Sequence, residues 1–183
     1  AIGGIILSGA EPIYIEPEIN EFMGVAMGVK PDTVARTLEA HPDAKAVFII
    51  NPTYYGVASD LKSIVAIAHA YEVPVIVDEA HGAHLKFSSQ LPVSAMEAGA
   101  DLAASSTHKL GGSLTQSSML LHQGTLINPQ KVKAALNLTQ TTSPSYILLA
   151  SLDVAPRQLA LKGRRMVEKT YLLAKQAYQE INK

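Results

Sequence analysis

The chain has no cysteine. Disulfides, thiol nucleophiles and cysteine-ligated metals are therefore excluded. No apolar run reaches the roughly 18–20 residues that a membrane-spanning helix needs, and no secretory signal is visible. Charge of one sign is also lacking: 15 basic residues stand against 16 acidic ones, for a net charge of −1. No basic stripe could therefore neutralise phosphates along a nucleic acid. Nowhere does Gly-Lys precede Ser or Thr, as a phosphate-cradling P-loop requires. The expectation is a cytoplasmic protein with neither a nucleic-acid partner nor a membrane partner.

What is present is apolar. Hydrophobic residues make up 48% of the 183 positions and charged ones 17%, which suits one well-buried core and one domain. The sequence begins at Ala1 rather than methionine, and the expectation is a piece of a longer protein.

The pattern alternates strand and helix. "AVFII" (Ala46 to Ile50) and "VPVIV" (Val73 to Val77) are short runs apolar at every position, closed by Asn51-Pro52 and by Asp78. Such runs suit a parallel sheet covered on both faces. Between them, Leu61, Ile64, Val65, Ala68 and Tyr71 recur at helical spacing, with Ser59 or Asp60 as N-cap. This is a strand–helix–strand unit, expected to cross over right-handed. "PIYIEP" (Pro12 to Pro17), "DLAASST" (Asp101 to Thr107) and "SSMLLHQ" (Ser117 to Gln123) read as further strands, and "PDTVARTLEAHP" as a helix from about Asp32 to before Pro42. From Ser143 the pattern is helical, and Pro156 is expected to interrupt it or start a second helix. Over Arg157 to Asn182, Leu159, Met166, Thr170, Leu173 and Ala177 follow helical spacing and can face a core. The fold expected is α/β, a mostly parallel, doubly wound sheet that ends in a long helix.

"VPVIVDEAHGAH" (Val73 to His84) has the letters of a helicase strand, in which the acidic pair holds a nucleotide-bound metal. The missing P-loop speaks against that reading, and "HKLGGS" (His108 to Ser113) cannot supply it because its lysine precedes the glycines. In open parallel sheets, ligands bind beyond the carboxyl ends of the strands. Asp78 sits at one such end, Asn51 to Gly56 at another, and "ASSTHKLGGSLTQSS" (Ala104 to Ser118) follows a third. Together they deliver a carboxylate, a lysine, hydroxyls and imidazoles to one side. A buried lysine can form a Schiff base with an aldehyde cofactor, and a carboxylate opposite can pair with a protonated pyridine nitrogen. Ser106 can hydrogen-bond part of a phosphate, and Gly111 and Gly112 allow close backbone approach.

At these residues the chain resembles the prokaryotic ornithine/lysine/arginine decarboxylases, whose pyridoxal-phosphate attachment motif "ASSTHKLGGSLTQSS" matches throughout. "DEAHGAH" and "TTSPSY" (Thr141 to Tyr146) also look like that family, and Asp78 stands at the right distance upstream of Lys109. The resemblance implies the major-domain fold of the fold type I pyridoxal-phosphate enzymes, like that of aspartate aminotransferase. It implies pyridoxal 5'-phosphate carried by Lys109, with Asp78 on the pyridine nitrogen, Ala80 packed under the ring and His81 near the phenolic oxygen. Ser106 would bind phosphate with His108 beside it, and Thr142 or Ser143 would reach the phosphate of a neighbouring subunit. The active unit would be a homodimer or higher oligomer with shared sites. The substrate would be a basic amino acid, with arginine favoured over lysine or ornithine. Residues 1–155 would be the central part of the cofactor domain, and residues 156–183 a helix leading to an absent C-terminal small domain. The isolated piece is expected to be inactive.

Plainer readings compete at each position. Asp78 could simply cap a turn. Lys109 alone would be a surface lysine. His81, His84 and His108 could hold a metal, but no further carboxylate beyond Asp78 and Glu79 joins them, so no metal is expected. Glu79 reads as a solvated or packing residue, and Tyr54 and Tyr55 as core aromatics or site contacts. His41, His69 and His122 read as ordinary surface or helix-face residues. Another fold type I enzyme, an aminotransferase or aldolase, shares the lysine and aspartate, and the P-loop ATPase remains as the distant alternative.

Overall fold

The structure, a computed structural model, describes residues 2–183. It opens with a short helix, α1 (Ile2–Ser8), followed by an extended stretch and a small hairpin. Its strands β1 (Ile19–Asn20) and β2 (Val25–Ala26) pair antiparallel, Ile19 opposite Ala26. The main body then alternates: α2 (Pro31–Ala40), β3 (Val47–Ile50), α3 (Leu61–Ala70), β4 (Val75–Asp78), a 3-10 turn over Leu85–Phe87, α4 (Ala95–Ala98), β5 (Leu102–Ser105), α5 (Thr107–Leu110), β6 (Met119–His122), α6 (Pro129–Thr139) and α7 (Tyr146–Ile181).

Four strands form the main sheet in the order β3-β4-β5-β6. The first three run parallel and β6 returns antiparallel, so the sheet is mostly parallel as its sequence implies. The core forms where α3 and α4 cover one face. Val47, Ile49, Val75, Val77 and Ala103 point into it and meet Leu61, Ile64, Val65, Ala68, Ala95 and Ala98. Val34 and Leu38 of α2 join that core beside α3. Proline at the first position of α2 costs no hydrogen bond, since that N–H has no helical partner. Asp60 caps α3 by accepting from the Ser63 amide (3.2 Å) and hydroxyl (2.6 Å), and these bonds hold its carboxyl below the usual range. On the other face Phe48 (44% exposed) and Ile50 (51%) stay open to solvent. Among the described residues no helix is long and apolar enough to cross a membrane.

Four sequence expectations are corrected. Pro12 to Pro17 is not a strand: it joins no ladder, and the hairpin's strand pairing begins at Ile19. Two prolines in six residues remove ladder donors, although Ile15 still leans on the core. Pro156 does not interrupt the last helix, because α7 continues from Tyr146 to Ile181 with Pro156 inside it. It is anchored on both sides of the proline by buried Ala155, Leu159, Gly163 and Val167. A Cβ added to Gly163 would lie 2.8 Å from Cδ1 of Phe87, so glycine lets that ring sit against the helix. Third, Met166, Thr170, Leu173 and Ala177 do not face a core. The buried stripe is out of phase with them, and past Val167 the helix is exposed. Helix α6, which the sequence reading does not anticipate, starts at Pro129 under an Asn128 cap.

His69 is the fourth correction. Its Nε2 lies 2.8 Å from Oδ2 of Asp101, a carboxylate only 2% exposed that also accepts from the Val75 amide at 2.8 Å. The pair pins the last turn of α3 to the starts of β4 and β5. Asp101→Ala should therefore destabilise the fold by about 2–3 kcal/mol, because it leaves the buried Val75 N–H without a partner. Urea denaturation measures this, and a loss under half a kilocalorie would make the pair incidental.

Candidate active site

Because β3, β4 and β5 are parallel, their carboxyl ends share one edge, with Ile50, Asp78 and Ala104 in register. The ladder extends one step past the strands: Asn51 N–H donates to Asp78 O (3.0 Å) and Glu79 N–H to Ala104 O (2.9 Å). Three loops thus leave the sheet side by side.

The loop after β3 starts at Asn51, which is fully buried. Its Oδ1 accepts from the Ser59 amide (2.8 Å), while its Nδ2 has no protein partner among the described residues. The Thr53 amide donates to Val57 O (2.8 Å), and Gly56, at φ 80°, closes the turn. Tyr54 and Tyr55 stand outside the core, edge to face, with centroids 5.6 Å apart.

The loop after β4 carries Asp78, Ala80 and His81, all half-buried. Asp78 Oδ1 accepts from the Ala80 amide at 3.1 Å, which fixes the carboxylate at the mouth of the turn. The His81 ring stands edge-on to Tyr54, with centroids 5.5 Å apart. His84 follows with its Nδ1 buried and unpartnered, and burial lowers its pKa from the ordinary histidine value. Glu79 points the other way and is buried, so it is not the solvated residue that the first of its sequence readings expects.

After β5 the chain makes one helical turn, α5. The Lys109 amide donates to Ser106 O (2.9 Å) and that of Gly111 to Thr107 O (2.8 Å). A Cβ on Gly111 would lie 2.7 Å from Cγ2 of Thr107 and 2.8 Å from its carbonyl oxygen, so only glycine closes this turn without displacement. Lys109 is thereby aimed across to the neighbouring loop, with its exposed Nζ 3.2 Å from Nε2 of His81. A protonated amine can donate to that nitrogen when the imidazole is neutral there.

The structure thus brings Lys109 and His81 into contact, with Asp78 and Ala80 on the same turn as His81 and Ser106 one residue before α5. It does not bring the ring of His108 to them, because His108 Nδ1 lies 2.7 Å from Ser117 O within its own loop. Thr142 and Ser143 lie in the exposed 141–145 loop, where the Ser143 amide donates to Thr141 Oγ1 (3.1 Å). The sequence places Asn51 at a strand end but gives it no role of its own, although its position directly after a buried strand is the available signal. Tyr54, left open between core and site, is 79% exposed beside His81.

Chemically, the set is an accessible primary amine beside an imidazole, a carboxylate on the adjoining turn, and a hydroxyl at Ser106. It fits an aldehyde cofactor with a basic ring nitrogen and an anionic tail. Among the described residues no three acidic or imidazole side chains converge as a metal site would need. The platform is open. One cavity of about 610 Å³ runs along α7 from Ala160 to Gln176, and another of about 410 Å³ lies between the hairpin and the start of α3, neither at Lys109.

The family model described as Orn/Lys/Arg decarboxylase, major domain, matches residues 2–183. An arginine decarboxylase of Bacillus subtilis (strain 168) is 54% identical over 178 residues, covering 97% of this chain and 36% of the relative. One of Bacillus anthracis is 52% identical, covering 99% and 37%. The solved constitutive lysine decarboxylase of Escherichia coli superposes with a TM-score of 0.71 over 93% of this chain and 26% of that one, at 24% identity, a likeness of fold alone. The chain spans little more than a third of the length of the curated relatives it matches.

Proposed function

Because this chain belongs to the Orn/Lys/Arg decarboxylase family through its major domain, we propose that it is the cofactor-bearing part of a pyridoxal-phosphate-dependent decarboxylase. Its substrate is a basic amino acid, arginine first, and the setting is polyamine metabolism in the cytoplasm. The observation that carries the reading is the contact of Lys109 Nζ with His81 Nε2 (3.2 Å) at the strand edge that also presents Asp78. When bound, pyridoxal phosphate supplies an electron sink for the bond that breaks at the substrate's α-carbon.

The chain's own residues do the rest. Lys109 would provide the amine that holds the cofactor, and its exposed Nζ would be the group that carries a proton there. Asp78, at the end of β4, would hold the cofactor's ring nitrogen through its carboxylate and so favour the protonated ring. Ala80 leaves room for a flat ring where a longer side chain would intrude. His81, held edge-on by Tyr54, would hydrogen-bond the ring's phenolic oxygen. Ser106 donates its hydroxyl to the phosphate, with His108 bracing the same loop through Ser117. Thr142 and Ser143, exposed here, serve the phosphate of a neighbouring subunit, so the working unit is a homodimer or larger.

Arginine is favoured because two relatives that are 54% and 52% identical to this chain over the aligned residues are named arginine decarboxylases. The test is a product assay on the longer protein with arginine, lysine and ornithine. Agmatine as the dominant product supports the assignment. Cadaverine or putrescine in its place moves the substrate, and no amine product from any of the three overturns the decarboxylase reading. The purified 183-residue chain is expected to show no turnover, since the site is an open platform.

A further inference from the structure

Glu79 has no part in that scheme, yet its setting is unusual. Strand β4 alternates Val75 and Val77 into the core with Ile76 and Asp78 on the other side. Glu79 continues the inward set and is 3% exposed. A carboxyl group stands where the pattern calls for a hydrophobe, which costs free energy unless it is bonded. Its Oε1 accepts from the Ala95 amide, the first of α4, at 2.6 Å. Its backbone is held as well: its N–H donates to Ala104 O (2.9 Å) and its carbonyl accepts from the Gly82 amide (2.9 Å). A side chain at position 82 would run into Cγ of Glu79 and come within 3.0 Å of Leu85. The turn from Asp78 to Gly82 is therefore wrapped around the Glu79 side chain, and that turn carries Asp78 and His81.

We propose that Glu79 is a positioning residue for the site: its buried carboxyl pegs the Asp78–Gly82 turn to the start of α4 and so holds His81 beside Lys109. This deepens the function proposed above and rests on it for the identity of the bound cofactor. The bond to Ala95 has no other evident purpose that a hydrophobe would not serve better at this position.

Burial pushes the Glu79 carboxyl up to about 7. The Ala95 N–H opposes that shift, and the Glu97 carboxylate on α4 adds to it. Glu97 is itself held by Ser94 and Lys86, while His81 and His84 share the turn with Glu79. A raised carboxyl pKa means that the folded state binds the proton more tightly than the unfolded one. The stability this supplies is complete below the ordinary value of 4.5 and is lost as pH rises through about 7. The turn is therefore held more firmly on the acid side and loosens on the alkaline side.

The experiment compares wild type, Glu79→Gln and Glu79→Ala in the longer enzyme at pH 5.5 and pH 8. One readout is pyridoxal-phosphate affinity, with borohydride trapping and peptide mapping at Lys109. The other is amide hydrogen exchange across residues 80–82 of the cofactor-free protein. The glutamine variant keeps an acceptor for Ala95 at every pH. It should match wild type at pH 5.5, and at pH 8 should bind about threefold or more tighter and exchange correspondingly slower. The alanine variant should bind about tenfold weaker at both. A plain packing role would lower the melting temperature of the alanine variant and leave affinity and the pH contrast unchanged, and that result overturns the proposal. Should the alanine variant fail to fold, Glu79→Leu, which fills the space without an acceptor for Ala95, takes its place, and wild-type affinity together with wild-type exchange at residues 80–82 in that variant overturns the proposal. Absence of trapping at Lys109 in wild type would count against the cofactor reading, while exchange at residues 80–82 still decides the peg.

Discussion

Lys109→Ala in the longer enzyme is expected to abolish the borohydride-reducible visible chromophore and to lower kcat by about a thousandfold or more, equivalent to ~4 kcal/mol of barrier. The lysine amine is set 3.2 Å from His81 by a helical turn that Gly111 alone can close. Alanine removes both the covalent anchor and the proton carrier. It removes almost nothing else, because the Lys109 side chain is exposed and buries little apolar surface. The melting temperature of the cofactor-free protein should therefore stay within a degree or two, as for other exposed substitutions. That separation makes the experiment decisive. Retention of a reducible chromophore in Lys109→Ala, with the reduced cofactor mapped to another peptide, would remove Lys109 from the role. A loss of chromophore accompanied by a large fall in melting temperature would instead make the lysine part of the scaffold.

The placement of the candidate site's residues at strand ends was legible in the sequence because it is set locally. Asp78 ends a buried run, Lys109 follows another, and parallel strands align such ends without further information. The strand–helix–strand unit was legible for the same reason: Leu61, Ile64, Val65 and Ala68 all lie inside, as their spacing implies. What failed depended on partners that a single stretch of sequence does not specify. Pro12 to Pro17 has the residues of a strand, but a strand exists only where another strand accepts its hydrogen bonds, and none does so here. The runs at β3 and β4 are apolar on both sides, which predicts two covered faces. Within residues 2–183 the far side of β3 leaves Phe48 and Ile50 open. Pro156 breaks an isolated helix by local rules, and tertiary anchoring at Ala155, Leu159 and Gly163 outweighs them. His69 and Glu79 were unreadable for a further reason. Their partners, Asp101 and the Ala95 amide, lie 32 and 16 positions away.

Asp78→Asn separates the two readings of the aspartate. In the plain reading Asp78 caps its turn by accepting from the Ala80 amide at 3.1 Å. Asparagine keeps an acceptor oxygen of the same reach, so a capping residue tolerates the change with a cost of a few tenths of a kcal/mol. In the functional reading the charge matters. A carboxylate facing a ring nitrogen favours its protonated form by a pKa shift of one to three units, each worth about 1.4 kcal/mol. Without that charge the ring loses most of its capacity to accept electrons from the reacting carbon. Asp78→Asn should then still attach the cofactor at Lys109, because the amine is untouched, yet lose about a hundred- to a thousandfold in kcat. Its absorption spectrum should respond to pH differently from wild type, because the nitrogen beside residue 78 no longer holds its proton. Asp78→Ala adds the lost cap and should fall further in melting temperature. If the asparagine variant turns over within about threefold of wild type while the alanine variant is destabilised, Asp78 is a cap and the ring nitrogen has another partner. If both lose activity alike and only the alanine variant loses stability, the carboxylate holds the charge that the cofactor needs.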